Sequence, residues 1–263
     1  GNNNATPPAN YIHPDIQDIA YNPLNNIMYA ATDGGIYRST NGGTVWANIT
    51  NGIHTSTFYH MAGAAFDANK IMGGTQDNGV KYKKDANDFT HVTGADGFDC
   101  SFGPTAGSSI YATVNSSLAK FDMNGTELSI TTPANTAFFP VIAVNPANTN
   151  EVYLVGGAAS LTNSAGTPIP PCGVQKSING GSTWTQVLNQ NIQQSICVCP
   201  NNSSRLYVTG TNSIYRSDNN GTSWSTNLAL NSGFPGSGSI TDINVCTGNS
   251  DLISCLNCLC CIA

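Results

Sequence analysis

Short runs of alternating apolar and polar residues, each followed by turn-forming residues, recur along most of the chain. The segment Tyr29–Trp46 aligns without a gap on Tyr207–Trp224, and both segments alternate with the period of two that is typical of strands. Asn, Gly and Ser separate the runs, and these residues favour tight turns. Because repeats of about 40 residues are typical of propeller blades, the pattern predicts a series of small antiparallel sheets.

A second series of turns lies between the first two strands of each unit, where a Pro precedes an apolar run that contains Tyr. Its members are Asn22-Pro23, Gly103-Pro104, Asn145-Pro146 and Cys199-Pro200. We therefore predict an all-β fold, a single β-propeller domain over 15–263 after a lead-in at 1–14. It consists of four-stranded antiparallel blades, at least five of them plus a truncated sixth. The predicted blades are 15–53, 57–94, 97–132, 138–190, 193–232 and a partial one at 238–263. A β-solenoid is the alternative architecture.

A shorter motif of the form Ser-x-Asn/Asp-x-Gly-x-Thr/Ser, ending near a Trp, occurs at 39–46, 177–184 and 217–224. It resembles the Asp-box, or BNR repeat, of sialidases, sortilins and xyloglucanases. Its polar side chains can satisfy backbone groups of a turn, Gly allows a positive φ, and Trp can pack between sheets. We interpret the motif as a folding device, with Asn41, Asn179 and Asp218 in the turn and not in an active site.

The composition narrows the function further. The chain has 9 Lys and Arg against 15 Asp and Glu, so its formal net charge is −6, and only 9 % of its residues are charged. A protein that binds nucleic acid needs a basic surface, and this composition does not supply one. No apolar run is long enough to span a membrane. A polar surface of low charge favours an extracellular or cell-surface protein.

One end of the predicted blades collects most of the candidate site residues. The turns between the second and third strands of a blade emerge on the same side as the links between blades. Asp33 and Asp77 occupy equivalent turns, and Asp96 lies in the link between the second and third blades. The ligand-binding candidates on this side are Tyr59, His60, Gln76, Asp77, Asp96 and Asp99, and the candidate catalytic residues are Asp33, Asp77 and Asp96.

The same residues also have a purely structural interpretation, because Asp-Gly and Asn-Gly pairs are common in two-residue hairpin turns. On that interpretation the carboxylates of Asp33 and Asp77 accept hydrogen bonds from nearby backbone N–H groups, which lowers their pKa. On the catalytic interpretation, two carboxyl groups converge at a defined spacing and one has a raised pKa.

Residues 11–250 as a whole resemble the sortilin-like and BNR-repeat propellers of secreted bacterial surface proteins. The resemblance is carried by the segments at 13–23, 31–39, 73–79 and 94–99. The resemblance to xyloglucanases implies a catalytic role for Asp33, although in that family the partner carboxylate comes from a second propeller. Sialidases need three Arg at the site, and here Arg38 and Arg216 occupy one repeat position in two blades, which disfavours that activity.

We therefore expect a non-catalytic binding module for a polysaccharide or protein ligand. The alternative is a glycoside hydrolase of the xyloglucanase type that acts on β-glucans. No cofactor and no metal are expected, because the four Cys at 255–261 lack the second pair typical of zinc sites. Loss of the repeat pattern in the sixth blade fits a piece of a longer protein. Cys199 and Cys246 end equivalent strands of successive blades, so we expect no disulfide between them.

Overall fold

The computed structural model describes a set of residues interrupted by gaps. The described residues are 11–51, 56–86, 89–133, 136, 139–156, 173–190, 194–210, 212–228, 240–246, 248–257 and 260–261. Within them the regular structure is entirely β, arranged as six antiparallel sheets that follow one another along the chain. The predicted all-β class is confirmed.

Four of these sheets have four strands each, joined in chain order as simple meanders. Blade 1 contains β1 (Ile16–Asn22), β2 (Ile27–Thr32), β3 (Gly35–Ser39) and β4 (Ala47–Asn48). Blade 2 contains β5 (Phe58–Ala64), β6 (Asp67–Thr75), β7 (Gly79–Lys83) and β8 (Thr90–Thr93). Blade 3 contains β9 (Gly97–Phe102), β10 (Ile110–Val114), β11 (Ser117–Phe121) and β12 (Glu127–Thr131). Blade 4 contains β13 (Val141–Asn145), β14 (Asn148–Val155), β15 (Val174–Ser177) and β16 (Thr185–Leu188).

The last two sheets have three described strands each. Blade 5 contains β17 (Ser195–Val198), β18 (Leu206–Gly210) and β19 (Ser213–Ser217). Blade 6 contains β20 (Ile240–Cys246), β21 (Asn249–Asn257) and β22 (Cys260–Cys261). The fourth strand predicted for blade 5 is absent from the described residues, because the side chains of Ser225 and Asn227 bond the backbone of β19 where that strand would pair.

Consecutive blades from the second onward contact one another through their first strands, β5 with β9, β9 with β13, β13 with β17, and β17 with β20. Apolar clusters fill the spaces between them. Tyr82 of blade 2 packs with Ile110 and Phe121 of blade 3, and all three are fully buried. Leu118 of blade 3 and Leu154 of blade 4 meet in the next cluster. Blades 2 to 6 therefore bury apolar faces against their neighbours, as propeller blades do.

The Ser-x-Asn turns have the folding role that the sequence predicts. In blade 4, the Ser177 hydroxyl accepts the N–H groups of Asn179 at 3.3 Å and Gly181 at 2.8 Å. The Asn179 side-chain oxygen accepts the N–H of Thr183 at 2.8 Å. The same bonds recur in the turns at 39–45 and 217–223.

One assignment in these turns was wrong. Asn219, and not Asp218, occupies the capping position of the third turn, because its side-chain oxygen accepts the N–H of Ser223. Asp218 is one residue too early for this geometry and instead pairs with Arg205 at 2.5 Å and Arg216 at 3.0 Å.

The structure describes only some of the cysteine side chains on which predictions were made. Cys199 is a buried free thiol. The side chains of Cys246 and of the four Cys at 255–261 lie outside the described set, as does the whole insertion at 158–172.

Candidate functional site

The structure brings the turns of blades 1 and 2 together at one end of the sheets. Asp33 lies in the turn from β2 to β3, and Gln76, Asp77 and Asn78 form the turn from β6 to β7. The side-chain amide of Asn78 donates to the backbone oxygen of Asp33 at 3.2 Å. The Gln17 amide donates to the Asp33 carboxylate at 2.9 Å. The predicted meeting of these turns is therefore present as direct contacts between blades.

An open depression of about 520 Å³ lies between these two blades. All of its lining side chains are polar: Gln17, Thr32, Asp33, Ser56, Thr57, Gln76 and Asn78. Amides, hydroxyls and a carboxylate together offer both donors and acceptors. Such a lining suits a hydrated ligand with many hydroxyl groups better than an apolar one.

Three carboxylates crowd the rim of the depression. Asp15, Asp33 and Asp77 each offer an oxygen, and the three oxygens lie within 4.8 Å of one another. Among the described residues, these three carboxylates form the group that is close enough to bind one metal ion jointly. Three oxygens are fewer than the six to eight that Ca²⁺ takes, and exposed acidic groups of this kind are common without an ion.

The electrostatics of Asp77 contradict the expectation drawn from hairpin turns. Burial raises the pKa of Asp77, and the negative charges of Asp96, Asp15 and Asp33 raise it further. Its backbone does adopt the turn conformation, with φ +57°. Its carboxylate, however, accepts no hydrogen bond from the described residues, so the expected lowering of its pKa was wrong.

Asp96 has the structural role that the hairpin interpretation predicts for Asp33 and Asp77, because its carboxylate accepts a backbone N–H. Its carboxylate accepts the backbone N–H of Asp77 at 2.7 Å. Its own backbone exchanges hydrogen bonds with Asn115, whose N–H donates to the Asp96 carbonyl at 2.9 Å. Asp96 thus joins the turns of blades 2 and 3.

Tyr59 belongs to an aromatic cluster beside the carboxylates. Its ring lies 5.1 Å from that of Phe98 and 5.9 Å from that of Phe139, measured between centroids. Burial raises the pKa of Tyr59, with further contributions from Asp96 and Asp77, which lie nearby. Tyr59 is 38 % exposed and Phe139 is 53 % exposed. Phe139 was not among the predicted site residues, because it follows a stretch without repeat pattern.

Asp99 and His60 lie on the first strands of blades 3 and 2. Asp99 is buried, and its two oxygens accept the N–H groups of Cys100 and Ile142, both at 2.9 Å. His60 Nδ1 lies 3.8 Å from the same carboxylate. Burial raises the pKa of Asp99, while the two N–H donors oppose that rise. Asp99 therefore links three blades, and His60 remains the more exposed member of the pair.

Comparisons with known proteins identify the fold. No protein-family model and no curated protein matches the chain. Among solved structures, the GH74 enzyme of Niastella koreensis matches at 23 % identity over 78 % of this chain and 37 % of its own, with a TM-score of 0.50. An ancestral GH74 enzyme matches at 19 % identity over 92 % of this chain and 34 % of its own, with a TM-score of 0.55.

A third structure, YCF48 bound to D1 peptide, matches at 12 % identity, covering 88 % of this chain and 71 % of its own, with a TM-score of 0.50. The chain spans about a third of the length of the two GH74 enzymes. All three neighbours are β-propellers, and the protein is a β-propeller as predicted. Among the described residues there is no helix of the length and apolar character needed to cross a membrane.

Proposed function

We propose that this propeller is a non-catalytic binding module of the BNR-repeat type, extracellular or at the cell surface, that holds a polysaccharide at the depression between blades 1 and 2. The observation that carries the proposal is the fully polar lining of that depression, together with the exposed rings of Phe139 and of Tyr59, which lies near Asp77 and Asp96. Sites of this kind combine apolar surface with a few placed polar groups.

The two parts of the site match the two kinds of surface on a sugar. Hydroxyl groups can pair with Gln76, Asn78 and Asp33, which supply donors and acceptors in one place. The C–H faces of a pyranose can pack on the rings of Tyr59 and Phe139. The like charges at the rim oppose an anionic ligand, so we expect a neutral polysaccharide.

The carboxylate geometry argues against an inverting mechanism of hydrolysis. An inverting glycosidase keeps its two carboxyl groups about 6.5–9.5 Å apart so that a water fits between them. Oxygens of Asp33 and Asp77 lie within 4.8 Å of each other, which leaves no such room. The third candidate, Asp96, already holds the backbone of Asp77.

One observation favours the glycoside hydrolase alternative. The raised pKa of Asp77 would suit a proton donor that lies beside the second carboxyl group, Asp33. The two GH74 neighbours share the fold with this chain, and at their level of identity the likeness extends no further.

The test measures binding and turnover on the same samples. Calorimetry with xyloglucan, mixed-linkage β-glucan and anionic polygalacturonate should show binding to a neutral polymer only. Asp33→Asn and Gln76→Ala should each weaken it by about tenfold, the value of one or two lost hydrogen bonds. Ser182→Ala, in the Ser-x-Asn turn of blade 4, is the matched control and should leave binding unchanged.

Release of reducing ends decides between the two functions. Turnover by the wild-type protein that Asp33→Asn abolishes would establish the hydrolase. A folded protein that binds neither neutral polymer would overturn the polysaccharide proposal.

A further inference from the structure

Lys81 and His91 form a hydrogen-bonded pair on one face of blade 2. The proposed ligand site does not use this face. Across the four strands of this blade, Met61, Gly73, Lys81 and His91 stand opposite one another in register. Directly opposed residues of an antiparallel sheet share one face. Lys81 Nζ lies 3.1 Å from His91 Nδ1. The opposite face carries Met72 and Tyr82, which pack against blade 3.

The environment of this amine differs from that of two other lysines in the described part of the chain. Lys176 lies 3.2 Å from Glu151, and Lys70 lies 3.8 Å from Asp67. Lys81 has no carboxylate partner among the described residues, and its hydrogen-bond partner is an imidazole. The residue opposite it is Gly73, against which the ring of Phe58 packs.

Burial acts on both members of the pair in the same direction. It lowers the pKa of Lys81, because a charged ammonium loses hydration when half-buried. It also lowers the pKa of His91, and the nearby Lys81 charge lowers it further. An imidazole that is harder to protonate than an ordinary histidine therefore lies beside an amine that is easier to deprotonate than an ordinary lysine.

We propose that Lys81 is a nucleophilic modification site that accepts an acyl group from an activated acyl donor such as an acyl phosphate, with His91 as the proton acceptor. The Nζ lone pair attacks the acyl carbon and forms the C–N bond. The bond from that carbon to the phosphate oxygen breaks, and phosphate leaves with the electron pair. The proton that Nζ must lose passes to His91 Nδ1, and the product is an amide with no charge.

Acetyl phosphate is the probe that tests this site. The folded wild-type chain is treated at pH 7.5, and the acetylation rate of each lysine is measured by peptide mass spectrometry. Lys84, which is exposed one residue beyond β7, serves as the internal reference. Lys81 should react several-fold faster than Lys84, because the fraction of neutral amine rises as the pKa falls. In denaturant the two rates should become equal.

Two variants separate the pair from a general effect of burial. His91→Gln removes the proton acceptor and should slow Lys81 several-fold without changing Lys84. His91→Asp places a carboxylate beside the amine, which favours the ammonium and should suppress the reaction of Lys81 further. Equal rates for Lys81 and Lys84 in the folded wild-type protein would overturn the proposal, as would an unchanged Lys81 rate in both variants.

Discussion

Replacing Asp77 with Asn should stabilise the protein at neutral pH. The Asp77 carboxylate accepts no hydrogen bond from the described residues and lies among the negative charges of Asp15, Asp33 and Asp96. Asn tolerates the positive φ of +57° at this position as well as Asp does. The substitution therefore removes repulsion and leaves the turn intact.

The size of the effect follows from the distances. Two unit charges 4.8 Å apart repel by about 0.9 kcal/mol in water. Physiological salt reduces this to about half, so Asp15 and Asp33 together contribute about 1 kcal/mol. For a chain of this size, about 1 kcal/mol raises the melting temperature by about 2–4 °C.

The pH dependence gives the sharper test. Because the pKa of Asp77 is raised above 3.8 on folding, the native state binds the proton more tightly than the unfolded chain does. Its contribution to stability is therefore full below pH 3.8 and is lost as the pH rises through the folded pKa. Urea unfolding should show Asp77→Asn to be more stable than wild type at pH 7, and this gain should shrink at pH 3 and in 0.5 M salt.

Asp122 provides a control of opposite sign. Its carboxylate accepts the N–H groups of Thr126 at 2.8 Å and Asn124 at 2.9 Å, and these bonds lower its pKa. Its contribution is present above the ordinary pKa and is lost on acidification. Asp122→Asn should therefore destabilise the protein at pH 7 and have little effect at pH 2. If Asp77→Asn behaved like Asp122→Asn, the electrostatic account of the site would be refuted.

Two further substitutions test the repeat itself. Ser217→Ala removes the hydroxyl that accepts the N–H of Gly221 at 2.9 Å. The free energy of unfolding, measured by chemical denaturation, should fall by about 1–3 kcal/mol. A loss of stability no larger than that of Ser182→Ala would contradict the turn mechanism. Gly74→Ala places a Cβ 2.4 Å from the backbone of Phe98, so it should force blades 2 and 3 apart and lower the melting temperature strongly. The control is Gly107→Ala, whose Cβ meets nothing within 4 Å and should leave the melting temperature unchanged.

The sequence predicts the fold well because its signals are local and repeated. Each Ser-x-Asn turn needs only residues within one turn, so the motif specifies its hydrogen bonds wherever it occurs. The alternating runs specify strands, and the recurrence of the unit specifies that the sheets stack on one another. The capping position was assigned to Asp218 instead of Asn219. A shift of one residue is enough to move a side chain out of the turn.

The site is less predictable because its properties depend on contacts between units. The contact of Asn78 with the backbone of Asp33 joins two blades and leaves no mark in either sequence segment. Phe139 lies outside the repeat pattern, yet its ring packs against Tyr59 of blade 2 and Phe98 of blade 3. The pKa of Asp77 depends on charges from three other segments. Taken alone, the sequence around Asp77 predicts only a role in the hairpin turn.

A comparison among the blades gives a reason to assign the Asp77 carboxylate a role beyond folding. In the corresponding turns of blades 3 and 5, the residues with positive φ are Asn115 at +48° and Asn212 at +54°. Asn serves such a turn without adding charge, so the carboxylate of Asp77 is not required by the backbone. Its repulsion from Asp15 and Asp33 makes it a cost to the folded state. A ligand that donates hydrogen bonds would offset that cost, which is the arrangement expected where a protein keeps an unfavourable group for binding.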